Sequence, residues 1–226
     1  MISKHIGLGT ATIGRPQYIN IRTERNANHN LEVFRANGLA ILETAYQQGI
    51  RYFDTAPGYG MAEDLLNEWL KTKNHQDLEI ATKWGYKYVA NFNPNAKVHE
   101  IKEHSLKLLN EQWKNSNSIL SNISTLQIHS ATFETGVLED LEILERLNEI
   151  KKENNIRIGL STTGANQVGV LNYALDVIID REPLFETFQV TYNILDQSLA
   201  TIAERFEGKR LVIKEALANG RLLSNA

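Results

Sequence analysis

The chain predicts a parallel α/β fold, and three observations carry that expectation. Short β-rich runs alternate with longer segments of helical apolar spacing, each run closes on a polar or small residue, and no linker interrupts the rhythm. Strict strand–helix alternation implies parallel strands covered by helices, either as an open doubly wound sheet or as a (β/α) barrel. With 226 residues, four prolines and no Pro/Gly/Ser-rich stretch, residues 1–226 are expected to form a single domain.

The strand candidates lie at 6–10, 51–54, 79–83, 125–129, 157–161, 187–190 and 211–214. The first helix between them is marked by Leu31, Phe34, Gly38, Ile41/Leu42 and Ala45, with Gly49 placed for a C-cap. A second runs over 62–72, with Leu65, Leu66, Trp69 and Leu70 on one side. Val98, Ile101, Ser105, Leu108 and Leu109 predict a third, which would also carry His99 and His104. Val137, Leu141, Leu144, Leu147 and Ile150 form the cleanest stripe and predict the fourth. Val168, Leu171 and Leu175 mark a fifth, and Leu199, Ile202, Ala203 and Phe206 a sixth. Gly7-Leu8-Gly9 begins like a dinucleotide-binding turn, but a long polar loop over 14–30 follows where that motif needs a helix. The spacing therefore favours a barrel.

Composition narrows the function. Hydrophobic residues at 42% and charged residues at 23% describe an ordinary globular chain. The absence of cysteine excludes disulfides and thiolate metal sites and fits a reducing compartment. A net charge of -3 makes no electrostatic case for nucleic acid. No apolar run reaches the roughly 20 residues of a membrane span, and no signal-peptide apolar region opens the chain, so a cytoplasmic protein is expected. No His-x-His or His-Glu-x-x-His spacing points to a metal.

The runs end on Thr10, Asp54, Lys83, His129, Ser161, Gln189 and Lys214. In parallel folds the carboxyl ends of the strands open onto the face that holds the chemistry. The densest segment is Asp54-Thr55-Ala56-Pro57-Gly58-Tyr59-Gly60, in which a turn presents Tyr59 after a strand-end carboxylate. Glu63 falls in the first turn of the next helix, where the dipole favours an acid, and is expected to be a helix-start residue with no catalytic part. On the residues alone, Asp54 and Lys83 are equally a buried ion pair, His129 a satisfied core histidine, and Tyr59 an aromatic packing at a helix start.

This segment resembles the Asp-Thr-Ala-x-x-Tyr-Gly signature of the aldo-keto reductases. The strand Glu79-Ile80-Ala81-Thr82-Lys83 is similar to the one carrying that family's lysine, and Leu126-Gln127-Ile128-His129 to the one carrying its histidine. The similarity continues through Arg157-Ile158-Gly159-Leu160-Ser161, through Phe188-Gln189-Val190-Thr191-Tyr192-Asn193, and from Ile213 to Arg221. The resemblance implies a (β/α)8 TIM barrel and NAD(P)H-dependent reduction of an aldehyde or ketone to an alcohol. NADP is the implied cofactor and NAD is not excluded. Tyr59 would donate the proton, Lys83 would lower the cost of releasing it, Asp54 would keep Lys83 charged and oriented, and His129 would orient the carbonyl oxygen.

Ser161 and Gln189 match residues that hold the nicotinamide carboxamide. The usual Ser-Asn pair reads Ser161-Thr162 here, and Lys214-Glu215 stands where relatives place a ring that stacks on the nicotinamide. The segment from Leu217 to Gly220 resembles the loop over the pyrophosphate, with Gly220 allowing close backbone approach. Trp84 and Tyr86 are expected to line the substrate pocket, as are the loops 14–30 and 86–97.

Only 12 residues follow Lys214, too few for a helix, an eighth strand and a further helix. The barrel is therefore expected to lack its final helix–strand–helix. A piece of a longer reductase is the favoured explanation. The others are a shortened homologue whose open barrel edge an oligomer partner covers, and a replacement of the last strand by the 14–30 loop. Two further functions stay open: a Schiff-base aldolase using Lys83 or Lys214, and a reductase-like binding or regulatory subunit that has lost its grip on the cofactor.

Overall fold

The computed structural model describes residues 5–16, 30–72, 77–93 and 95–222. They fall into two compact units. The first takes the described residues up to Glu103 together with Lys107–Ser124, and the second takes His104–Leu106 and the described residues from Thr125 onward.

In the first unit β1 (Gly7–Gly9) leads through a short α1 (Ala11–Gly14) toward α2 (Leu31–Gln47), β2 (Tyr52–Asp54), α3 (Ala62–Lys71) and β3 (Glu79–Trp84). The three strands are parallel, with Gly9 beside Asp54 and Asp54 beside Ala81. α2 starts where the Asn30 side chain accepts from the backbone N–H groups of Glu32 and Val33, closing orphan donors of the first turn. Its Leu42 packs with Phe53, Leu65, Leu66, Trp69 and Ile80 in one core cluster. Gly7-Leu8-Gly9 is thus the strand β1 and not a turn, and the helix that follows it spans only four residues. Most of the 14–30 loop lies outside the described residues.

The expected third helix needs correction. Residues 98–102 do not form it: β4 (Tyr86–Tyr88) and β5 (Glu100–Lys102) pair as an antiparallel hairpin, and α4 (Leu106–Ile119) begins afterwards. The spacing misled because Val98 and Ile101 are exposed, at 55% and 48%. The true apolar face of α4 is Leu108, Leu109, Trp113 and the small Ser116. The base of the hairpin is docked by Gln112, whose Oε1 accepts from Gly85 N at 2.9 Å and whose Nε2 donates to Tyr86 O at 2.7 Å. His99 and His104 accordingly lie off the helix.

The second unit alternates β6 (Ile123–Ala131), α5 (Leu141–Asn154), β7 (Arg157–Thr162), α6 (Gln167–Leu175), a short antiparallel pair β8 (Ile178–Ile179) and β9 (Glu182–Pro183), β10 (Phe185–Thr191) and β11 (Arg210–Lys214). β7 pairs with β6 and with β10, and β10 pairs with β11, all parallel. Asp140 caps α5 by accepting from Ile143 N, and Asn155 ends it in the left-handed region at φ 52°. The expected sixth helix is a 3-10 segment, Ser198–Phe206, broken at Ile202, because its apolar residues pack only at the ends, Leu199 and Phe206. All seven expected strands occur, and no eighth parallel strand is present among the described residues.

Candidate active site

Asp54, Tyr59 and Lys83 come together within the first unit. Thr10 donates to the Asp54 carbonyl through both its backbone N–H, at 2.9 Å, and its hydroxyl, at 3.0 Å, fixing the carboxyl end of β2. From the neighbouring strand Lys83 sends its Nζ to Asp54 Oδ2 at 2.5 Å and to the Thr55 carbonyl at 3.1 Å. The lysine side chain is fully enclosed and the aspartate side chain is 13% exposed, so each charge depends on the other. A 3-10 turn, Pro57–Tyr59, then places the buried Tyr59 ring 4.9 Å from Lys83 Nζ, with the ammonium over the ring face.

Two glycines make that turn possible. A Cβ on Gly14 would lie 2.0 Å from Tyr59 O, so only glycine lets the end of α1 touch the turn. Gly60 leaves the turn at φ +64°, and a Cβ there would meet Gly14 O at 2.6 Å.

Glu63 holds its expected place at the start of α3 and has further partners there. Its carboxylate is buried and accepts from Thr82 Oγ1 at 2.6 Å and from Ser116 Oγ at 3.0 Å. It thereby ties α3 to β3, one residue before Lys83, and to α4. Desolvation, opposed by those two hydroxyls, pushes its carboxyl up to about 7. Sequence spacing shows the helix position; only the fold shows what covers it. Trp84, expected at the pocket, is 1% exposed, while Tyr86 is half-buried on the hairpin.

The second unit carries His129, Ser161, Gln189 and Lys214. His129 is half-buried near the end of β6, followed by an irregularity in which Ser130 takes φ +53° and the pairing with β7 slips between Ile128 and Ala131. Ser161 and Gln189 are direct neighbours in the β7–β10 register and both are buried. Ser161 Oγ accepts from Ser130 N at 2.8 Å. Its own hydroxyl hydrogen is left to donate, and beside it the Gln189 amide brings both a donor and an acceptor, the polarity that recognition of a carboxamide requires.

Thr162, standing where the family pattern has Asn, is fully buried and donates to Gln167 Oε1 at 3.2 Å. Gln167, which sequence reasoning passed over, also donates to Thr191 O at 3.0 Å and accepts from Thr191 N at 3.2 Å, joining α6 to the end of β10. Lys214 Nζ reaches Glu215 Oε1 at 2.6 Å and Thr191 Oγ1 at 2.9 Å. The following loop turns through positive φ at Glu215, Ala218, Asn219 and Gly220, with Leu217 exposed. Gly220 takes φ +89°, a conformation that favours glycine, and no protein atom lies within 4 Å of a Cβ built there.

Parallel strands that alternate with covering helices, with polar side chains at or near most of their carboxyl ends, define a protein of the parallel α/β class. Comparison with known proteins specifies the kind. A profile of the aldo/keto reductase family matches residues 5–226, and the chain belongs to that family. It is 39% identical over 82 residues to pyridoxal 4-dehydrogenase of Microbacterium luteolum, a match covering 35% of this chain and 20% of that protein. It is 46% identical over 48 residues to D-threo-aldose 1-dehydrogenase of a Pseudomonas species, covering 20% of this chain and 15% of that one. The matched stretches thus span a fifth or less of these relatives' lengths. A solved structure from Pseudomonas aeruginosa, described as an aldo-keto reductase, superposes with a TM-score of 0.69 at 24% identity, over 94% of this chain and 73% of that one. The fold is the aldo-keto reductase barrel, with seven of its parallel strands present among the described residues. No helix among the described residues is long and apolar enough to cross a membrane.

Proposed function

We propose that the protein is an NAD(P)H-dependent oxidoreductase that reduces an aldehyde or ketone of a small molecule to an alcohol. The observation that carries this reading is the enclosed Lys83, held 2.5 Å from Asp54 with its ammonium 4.9 Å from the centre of the Tyr59 ring. A bound nicotinamide supplies the hydride, so the chain itself has to bind, orient and protonate.

Tyr59 Oη is the proposed proton donor to the carbonyl oxygen. The Lys83 ammonium stabilises the phenolate that proton transfer leaves behind, and Asp54 keeps that ammonium charged and in place. His129 is assigned to donate a hydrogen bond to the same oxygen, which gathers negative charge as the carbonyl is reduced. Ser161 and Gln189 would hold the carboxamide of the cofactor, and the loop from Leu217 to Gly220 its pyrophosphate. NADP(H) is the proposed cofactor, with NAD(H) as the competing choice. The names of the relatives, one acting on pyridoxal and one on an aldose, favour a polar aldehyde or its hydrated or cyclic equivalent as the first substrates to try.

The test is oxidation of NADPH and of NADH against a panel of aldehydes and ketones, with Tyr59→Phe alongside. Turnover should fall by about 100-fold or more while nucleotide binding, read by fluorescence quenching, stays unchanged. Near-normal turnover in Tyr59→Phe removes Tyr59 from its proposed role. An unmodified chain that quenches with neither nucleotide defeats the reading as a whole.

A further inference from the structure

We propose that His104 is a positioning residue of this site, gripping the peptide group between His129 and Ser130 from one side while Ser161 holds it from the other. Both bonds fall on a single peptide unit. His104 Nε2 lies 3.0 Å from the His129 carbonyl oxygen, which only accepts, so Nε2 carries the hydrogen and donates it. The N–H of the same unit, that of Ser130, donates to Ser161 Oγ at 2.8 Å. The other imidazole nitrogen is seated against Thr135 Oγ1 at 3.0 Å, and that hydroxyl is itself 3.0 Å from Thr132 O in the turn that follows β6. With Nε2 donating, a neutral ring accepts at Nδ1, and the single hydrogen of Thr135 then points to Nδ1 rather than to Thr132 O, so that both nitrogens are held.

This peptide needs holding. Between Ile128 and Ala131 the regular pairing of β6 with β7 is interrupted: three steps along β6, Ile128 to Ala131, match two along β7, Leu160 to Thr162. The extra residue removes the peptide from the ladder that would otherwise fix it. Ser130 also sits at φ +53°, in the left-handed region that a residue with a Cβ disfavours. Such a conformation persists where its surroundings over-determine it. His104 and Ser161 supply the two constraints, one on each end of the peptide dipole.

The consequence rests on the function proposed above, in which His129 orients the substrate oxygen and Ser161 meets the nicotinamide carboxamide. One peptide then joins the substrate-side and cofactor-side groups. Its carbonyl belongs to His129, and its N–H occupies an acceptor site of Ser161 and so directs the serine hydrogen elsewhere. His104, arriving from the segment between β5 and α4, sets the position of both without touching either ligand.

The experiment reads the peptide directly. Amide hydrogen exchange at Ser130 is measured in the nucleotide-free chain for the unmodified protein, His104→Leu and His104→Gln. Gln is chosen because its Nε2 can stand where the imidazole Nε2 donates. Exchange should quicken by about tenfold in His104→Leu and stay close to the unmodified rate in His104→Gln. In activity assays His104→Leu should raise the carbonyl KM and weaken nucleotide binding, with His104→Gln recovering both. Unchanged exchange in His104→Leu overturns the proposal, as does equal deprotection in His104→Gln. Should His104→Leu fail to fold, Thr135→Val frees the far side of the ring and must quicken Ser130 exchange in the same direction; no change there overturns the proposal too. A protein that binds no nicotinamide nucleotide defeats the function and leaves the exchange measurement to decide the clamp by itself.

Discussion

Two lysines stand at or beside the carboxyl ends of two strands of this molecule, and they live in different conditions. Lys83 ends its run inside the first unit with no side-chain surface exposed, and its partner Asp54 is 29 residues away on the adjacent strand. Lys214 ends β11 in the second unit with its side chain 25% exposed, and its partner Glu215, 32% exposed, is the next residue in the chain. Both pairs are short, at 2.5 and 2.6 Å. Distance therefore does not separate them; solvent does. Water screens the second pair and stands ready to replace either partner, whereas the enclosed ammonium is held by Asp54, the Thr55 carbonyl and the face of the Tyr59 ring. The first pair can impose a fixed charge beside Tyr59. The second is an adjustable group next to a loop with four residues in positive φ.

The sharpest way to break this contrast is to remove each ammonium. Lys83→Met leaves the Asp54 carboxylate without its counter-charge and should cost about 3–5 kcal/mol in urea denaturation. Turnover by the folded fraction should also fall, by about 100-fold or more. An equal and small cost for Lys83→Met and Lys214→Met would show that burial does not distinguish the two pairs.

Next in size is the buried acid behind β3. Glu63 has its carboxyl raised to about 7 from 4.5, so the folded state binds its proton more tightly than the unfolded chain does. That contribution is fully present below pH 4.5 and is lost as the pH rises through 7, a difference of about 3 kcal/mol from a shift of this size. Glu63→Gln should flatten this part of the stability profile, so that the variant gains on the unmodified protein between pH 5 and pH 8. Parallel profiles would mean that Glu63 does not titrate in that interval. The smallest effect belongs to Lys214→Met, where an exposed pair is worth less than about 1 kcal/mol. Adding salt should erase that difference while leaving the Lys83→Met cost nearly intact.

How much of this was legible in the sequence differs by element. The strand runs were readable because buried parallel strands leave short β-rich stretches between helical periods, as at 79–83 and 157–161. The segment 98–102 was misread because Val98 and Ile101 share a helical spacing with residues of α4, although both are exposed on a hairpin. Asp54, Tyr59 and Lys83 were visible through a local motif and the order of the strands. Glu63 was visible only as a helix-start acid, since its burial comes from Thr82 and Ser116, 19 and 53 residues away. His104 carried no signal of any kind, because nothing in its neighbourhood announces a carbonyl 25 residues downstream.

The sequence by itself determined the alternation of strands and helices, the family, and which polar residues lie at or near the carboxyl ends of the strands. Those properties are local or periodic, and a linear pattern records them. The tertiary structure decided which of those groups lose their water and which side chains meet across the strands. It enclosed Lys83 and left Lys214 in contact with solvent, sank Glu63 behind β3, and brought His104 and Ser161 to opposite ends of one peptide. Burial and long-range contact depend on what the rest of the chain packs against, and that is why two lysines alike in sequence came to differ in charge environment and in the roles open to them.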